Sequence, residues 1–106
     1  MPTYLFKASY TPEGVRGLKE AGASSRARAV DDMVTALGGS LESFYFAFGD
    51  VDAYVVVDLP DDEAAAAAAF TVGASPTTTV KTVKLLTPHE ADAAISRSVD
   101  YRPPGS

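Results

Sequence analysis

The chain has 106 residues, nine Lys and Arg against fourteen Asp and Glu, a net charge of −5 and no cysteine. That length suits one domain around one core, and the cysteine count removes disulfides, thiolate metal sites and thiol nucleophiles. A pI near 4.6 argues against nucleic acid, whose phosphates need a basic stripe, and no apolar run approaches the roughly 18 residues of a membrane span.

Thr3 to Tyr10 is rich in aromatic and apolar residues and predicts a strand. Thr11-Pro12-Glu13 follows as an N-cap, a proline at the first helical position and an acid that complements the helix dipole. Val15, Leu18 and Ala21 continue at helical spacing, weakened by Gly14 and Gly17 at up to about 1 kcal/mol each. Gly22-Ala23-Ser24-Ser25 predicts a break or kink. The apolar stripe then resumes at Ala27, Val30, Met33, Val34 and Leu37, and Gly38-Gly39 ends it.

Two runs of period two come next. Leu41 to Phe48 sets Phe44, Phe46 and Phe48 on one side, with Leu41, Ser43, Tyr45 and Ala47 on the other. Val51 to Leu59 sets Ala53, Val55, Val57 and Leu59 against Tyr54, Val56 and Asp58. A turn at Gly49-Asp50, or a longer one from Gly49 to Asp52, pairs Phe46 with Ala53, Phe44 with Val55 and Tyr45 with Tyr54. Pro60-Asp61-Asp62-Glu63 opens a further helix, carried by the alanines Ala64 to Ala69, which are small enough to lie close to a sheet. Gly73 to Pro76 breaks it. Thr77 to Leu86 predicts a fourth strand, and Thr87-Pro88-His89-Glu90 has the spacing of a capping box before a short helix from Pro88 to about Ser98.

This order predicts an α+β fold of the ferredoxin-like kind. It is a βαββαβ antiparallel sheet with helices on one face, plus a C-terminal helix. One domain would span 1–98, with a flexible tail over 99–106. The covered face takes Tyr4, Phe6, Phe44, Phe46, Val55 and Val57; Leu5, Lys7, Leu41, Tyr45, Tyr54 and Val56 fall on the other. A solvated face reads mostly polar and this one does not, so a second copy is expected to cover it, as a homodimer or higher homo-oligomer.

Several stretches together resemble the GYD-domain family of small bacterial proteins, within the dimeric α/β-barrel superfamily. They are Tyr4-Leu5-Phe6-Lys7 to Gly14-Val15, Arg26, Leu37-Gly38-Gly39, Phe44-Tyr45, Gly49-Asp50-Val51-Asp52 and Pro60-Asp61-Asp62-Glu63. Gly49 and Asp52 stand where the naming motif has its Gly and Asp, but Val51 replaces the Tyr. The resemblance implies a ferredoxin-like fold and a dimeric barrel, and carries over no catalytic residue.

Lys7, Tyr45, Tyr54 and Lys84 are read as polar groups on the open face, able to line a ligand cavity between two sheets. A lysine that loses its charge there is a base, and a tyrosine can donate to an oxyanion. His89, the sole histidine, joins them as the side chain suited to proton transfer, or is simply an exposed helix residue. Asp50, Asp52, Asp58 and the acids at 61–63 lack calcium-loop spacing and read as hairpin and helix-start residues, so neither metal nor cofactor is expected. Arg26 belongs to a basic cluster with Arg16, Lys19 and Arg28, and reads as bracing the kink or pairing with an acid. Ser24 and Ser25 lack a nucleophile elbow. Met1-Pro2-Thr3-Tyr4 has no signal-peptide features, so the expected compartment is the cytoplasm, with no membrane or nucleic-acid partner. The expected function is a homodimeric small-molecule binding or sensing module. A cofactor-independent oxygenase or isomerase, by superfamily analogy, and a structural assembly unit without ligand are the alternatives.

Overall fold

The computed structural model describes residues 1–105. Along the chain run β1 (Thr3–Tyr10), α1 (Pro12–Ala21), α2 (Ala23–Ala36), β2 (Ser40–Phe46), β3 (Ala53–Asp58), α3 (Asp62–Gly73), β4 (Thr78–Leu85) and α4 (Pro88–Ile95). The strands form one antiparallel sheet in the order β2-β3-β1-β4, the ferredoxin-like arrangement.

Local chemistry sets the boundaries. The Thr11 hydroxyl accepts from the Gly14 N–H and starts α1. At Gly22 the backbone takes φ +94° and ψ 154°, a conformation open mainly to glycine, and there the predicted break separates α1 from α2. α2 ends where Gly38 and Gly39 donate to the Thr35 and Val34 carbonyls, both at 3.0 Å, closing carbonyls the helix leaves free. The Asp61 carboxylate caps α3 through the Ala64 N–H at 2.9 Å. Thr87 and Glu90 form the predicted capping box of α4.

The core lies between the sheet and the pair α2 and α3. Tyr4, Phe6 and Ala8 of β1 and Ala53, Val55 and Val57 of β3 meet Val30 and Val34 of α2 and Ala65 and Ala68 of α3. The alanine face lets α3 approach the sheet closely. α1 contributes less than its spacing predicts: it buries only Gly14, and Val15 is exposed. Its first turn is held instead against the segment before β4, with the Thr11 N–H on the Thr77 carbonyl and the Thr11 hydroxyl on the Pro76 carbonyl, both at 2.9 Å.

The hairpin register is the predicted one, Phe46 with Ala53, Phe44 with Val55 and Tyr45 with Tyr54. The regular ladder stops at Phe46, and the Ala47 N–H reaches the Asp52 carbonyl across a longer turn. Asp52 then ties that turn to β1. Its N–H donates to the Ala8 carbonyl at 2.9 Å, and its carboxylate accepts from the Tyr10 N–H at 2.8 Å. The tie turns Val51 inward and leaves Phe48, expected alongside Phe44 and Phe46, fully exposed.

Two face assignments are corrected. A bulge between Leu41 and Ser43 inserts a residue into β2, so Leu41 faces Val57 and packs on the core rather than on the open face. On β4, Lys84 stands opposite Tyr4 on the helix side, and Lys81 takes the place beside Lys7. α4 stops at Ile95, short of the predicted Ser98, and buries no residue. Residues 99–105 have no regular helix or strand, and residue 106 of the expected tail lies outside the described residues. The radius of gyration is 16.8 Å, against about 13 Å for a compact chain of this size, because α4 and the residues C-terminal to it stand off the body. Among the described residues no helix is long and apolar enough to cross a membrane.

Candidate functional site

Three of the five residues expected to form a site stand together, and Lys84 and His89 lie apart from them. Lys7, Tyr45 and Tyr54 share the open sheet face in one row, Tyr45–Tyr54–Lys7–Lys81, beside a second row of Ser43, Val56, Leu5 and Val83. Tyr45 is 69 % exposed there. His89 is exposed on α4. None of the predicted set lines any of the three cavities under the helices.

Lys84 has a separate partner. Its Nζ lies 3.0 Å from Asp62 Oδ1 at the start of α3, and the Tyr4 hydroxyl donates to the same oxygen at 2.5 Å. The Tyr4 bond, then Lys84, hold the Asp62 carboxyl below the usual carboxylate range. The same bond, with burial and the nearby Asp62 and Asp61 charges, pushes the Tyr4 phenol up to about 12. This group is a clasp between β1, α3 and β4. Two further acids also have structural posts, Asp58 accepting from the Thr3 hydroxyl at 2.6 Å and Asp61 capping α3.

The cavities lie on the other side of the sheet. Three adjoin one another and share Arg26 and Thr78. A cleft of about 260 Å³ opens between α1, the first turn of α2 and the start of β4. A second, about 220 Å³, opens between α2, α3 and the Ser75–Thr78 segment. An apolar slot of about 30 Å³ runs inward between them, walled by Phe6, Val30, Met33, Phe44, Val72 and Val80 among others.

Helix geometry puts Arg26 at their junction. Arg26, Val30, Met33 and Leu37 follow at i, i+4, i+7 and i+11, the core-facing stripe of α2. The Arg26 Nε is buried and has no hydrogen-bond partner in the chain, alone among buried side-chain polar atoms of the described residues. Neither expected role for Arg26 is seen among the described residues: no carboxylate pairs with it, and its buried Nε donates to no backbone carbonyl. Facing it is a chain of hydroxyls. Ser75 Oγ lies 2.6 Å from Thr77 Oγ1, which lies 3.2 Å from Thr78 Oγ1, and Thr78 is 3 % exposed. Tyr10, at the end of β1, completes the polar rim.

Gly14 keeps this wall in place. A Cβ there would lie 2.1 Å from the Thr77 carbonyl oxygen, so only glycine lets α1 seat against the segment that carries the hydroxyls. Among the described lining residues Arg26 is the single formal charge, and neither carboxylate nor histidine is present. Hydrogen-bond donors beside a single positive charge are the chemistry that recognises an anion, and no side chain suited to strong general-base work is among the described lining residues. The usable sequence signal is an arginine at a core position of an amphipathic helix.

The GYD domain family model matches residues 4–95 of this chain, which therefore belongs to that family. No curated protein and no solved structure gives a significant match.

Proposed function

We propose that this GYD-family chain is a homodimeric small-molecule binding module whose ligand sits in the cleft around Arg26. The observation that carries the reading is the buried, unpartnered Arg26 Nε at the junction of three cavities. A buried donor without a partner costs about 1–3 kcal/mol, and such a cost persists where a ligand offsets it. Binding is favoured over catalysis because the cleft lacks the base that an enzyme would draw from His89 or Lys7.

The occupant proposed for the open face is a second copy. Strands of six to eight residues in four ranks present a face of roughly 450 Å². Two such faces give about 900 Å², just short of the roughly 1,000 Å² that marks the lower limit for a specific interface. The apolar residues of the C-terminal arm, Leu86, Ile95, Val99 and Tyr101, are all exposed on their own chain, so an arm laid on the partner enlarges that contact. Leu5, Val56, Val83, Tyr45 and Tyr54 then become interface residues.

Native mass spectrometry on protein purified gently from its host tests both halves together. The expected species is twice 11.0 kDa plus a retained small molecule, lost on Arg26→Met. A bare single subunit at high concentration overturns the proposal.

A further inference from the structure

We infer that the ligand of the Arg26 cleft is a small amphipathic organic acid, one carboxylate carrying a short unbranched apolar tail. This rests on the reading of the cleft as a binding site and adds the chemical class of its occupant.

Charge sets the head group. Arg26 is the only formal charge among the described lining residues, so a monoanion neutralises the site. A phosphate dianion would leave one charge uncompensated in a partly buried place, which is costly. The planar guanidinium presents parallel N–H donors that match a carboxylate. Two of the three hydroxyl protons are used within the Ser75–Thr77–Thr78 chain, and the third, at whichever end the chain leaves it, is free to meet a remaining lone pair of that carboxylate.

The slot sets the tail. It leads inward from Arg26 between Phe6, Val30, Met33, Phe44 and Val72, side chains with no polar group to hold water. Its volume of about 30 Å³ is that of about two water-sized probes. So small a space favours the end of a slender methylene chain over a bulkier tail. Arg26 therefore stands on the boundary between a polar chamber and an apolar one, and one molecule spans both.

Calorimetric titration of the full chain tests this with four probes: hexanoate, hexan-1-ol, acetate and inorganic phosphate. Hexanoate is expected to bind at least ten-fold more tightly than each of the others. Arg26→Met is expected to weaken hexanoate ten-fold or more. Should that variant misfold, Arg26→Lys keeps the charge without the fork and weakens hexanoate by a smaller factor. Ala69 also lines the slot, and Ala69→Val, which narrows it, is expected to bring hexanoate down to the level of acetate. Hexan-1-ol binding as tightly as hexanoate removes the anionic head group from the proposal. Acetate or phosphate binding as tightly as hexanoate removes the tail. If no probe binds while native mass spectrometry finds a retained molecule of another class, this inference falls and the binding-module reading stands. If no probe binds and nothing is retained, both fall.

Discussion

The Tyr4 hydroxyl meets a carboxylate that is already paired with a lysine, and this gives the fold a readable signature at high pH. The phenol is raised from 10.0 to about 12 in the folded chain. A group raised on folding stabilises below its unfolded value and loses that contribution as pH climbs through the folded one, here between 10.0 and about 12. Asp62 runs the other way. Its lowered carboxyl contributes above its ordinary 3.8 and loses the contribution as pH falls below that. Ultraviolet titration of the five tyrosines is expected to show one late phenolate, absent in Tyr4→Phe and shifted to lower pH in Asp62→Asn. At Arg26 the expected result is a stability test with an unusual sign. Arg26→Met removes a buried donor that no protein group satisfies, so its melting temperature without ligand should equal or exceed that of the parent. A clear fall would show that Arg26 supports the fold. Gly14→Ala should cost at least about 1–3 kcal/mol in chemical denaturation, because the new methyl meets a backbone carbonyl rather than a side chain that can swing away.

Among the elements, the joint between α1 and α2 governs the shape of the cleft, since its lining includes Ala21, Gly22, Ser25 and Arg26. Gly22→Ala places a side chain where φ is +94°, and about 1–3 kcal/mol of strain is expected, measured as a lowered denaturation midpoint. Much of this layer is legible in the residues. Proline and threonine mark the start of α1, the paired glycines the end of α2, and the Phe and Val alternation the hairpin register. What escapes has physical causes. Glu42 lies where a bulge forms, and alternation alone cannot reveal an inserted residue, so it puts Leu41 on the wrong face. β4 spaces its valines three apart, at 80 and 83, which leaves a period-two pattern without a preferred face and sends Lys84 to the wrong side. α1 has the spacing of a buried stripe, yet it seats by backbone bonds at Thr11 and by Gly14, which periodicity does not record. Arg26 is visible in the sequence as part of a basic cluster. Its place among Val30, Met33 and Leu37, rather than its charge, marks it as the candidate site residue.

At the scale of the molecule, the open sheet and the outstanding arm are two apolar surfaces that their own chain leaves uncovered. For the proposed dimer, removing residues 87–106 should weaken the association, seen as a shift of light-scattering mass toward 11.0 kDa or below on dilution, while far-ultraviolet dichroism retains the sheet. An unchanged mass would place the whole contact on the sheet face.

The two margins of the sheet carry a different message. The outer strand β4 bears Lys81 and Lys84, one toward each side, and the outer strand β2 is kinked by its bulge near Leu41. Charges and irregularity of this kind blunt a strand that would otherwise template its neighbour. Growth by lateral strand addition is thus discouraged at both ends. Concentrated solutions of the chain should therefore stay dark with an amyloid dye such as thioflavin T.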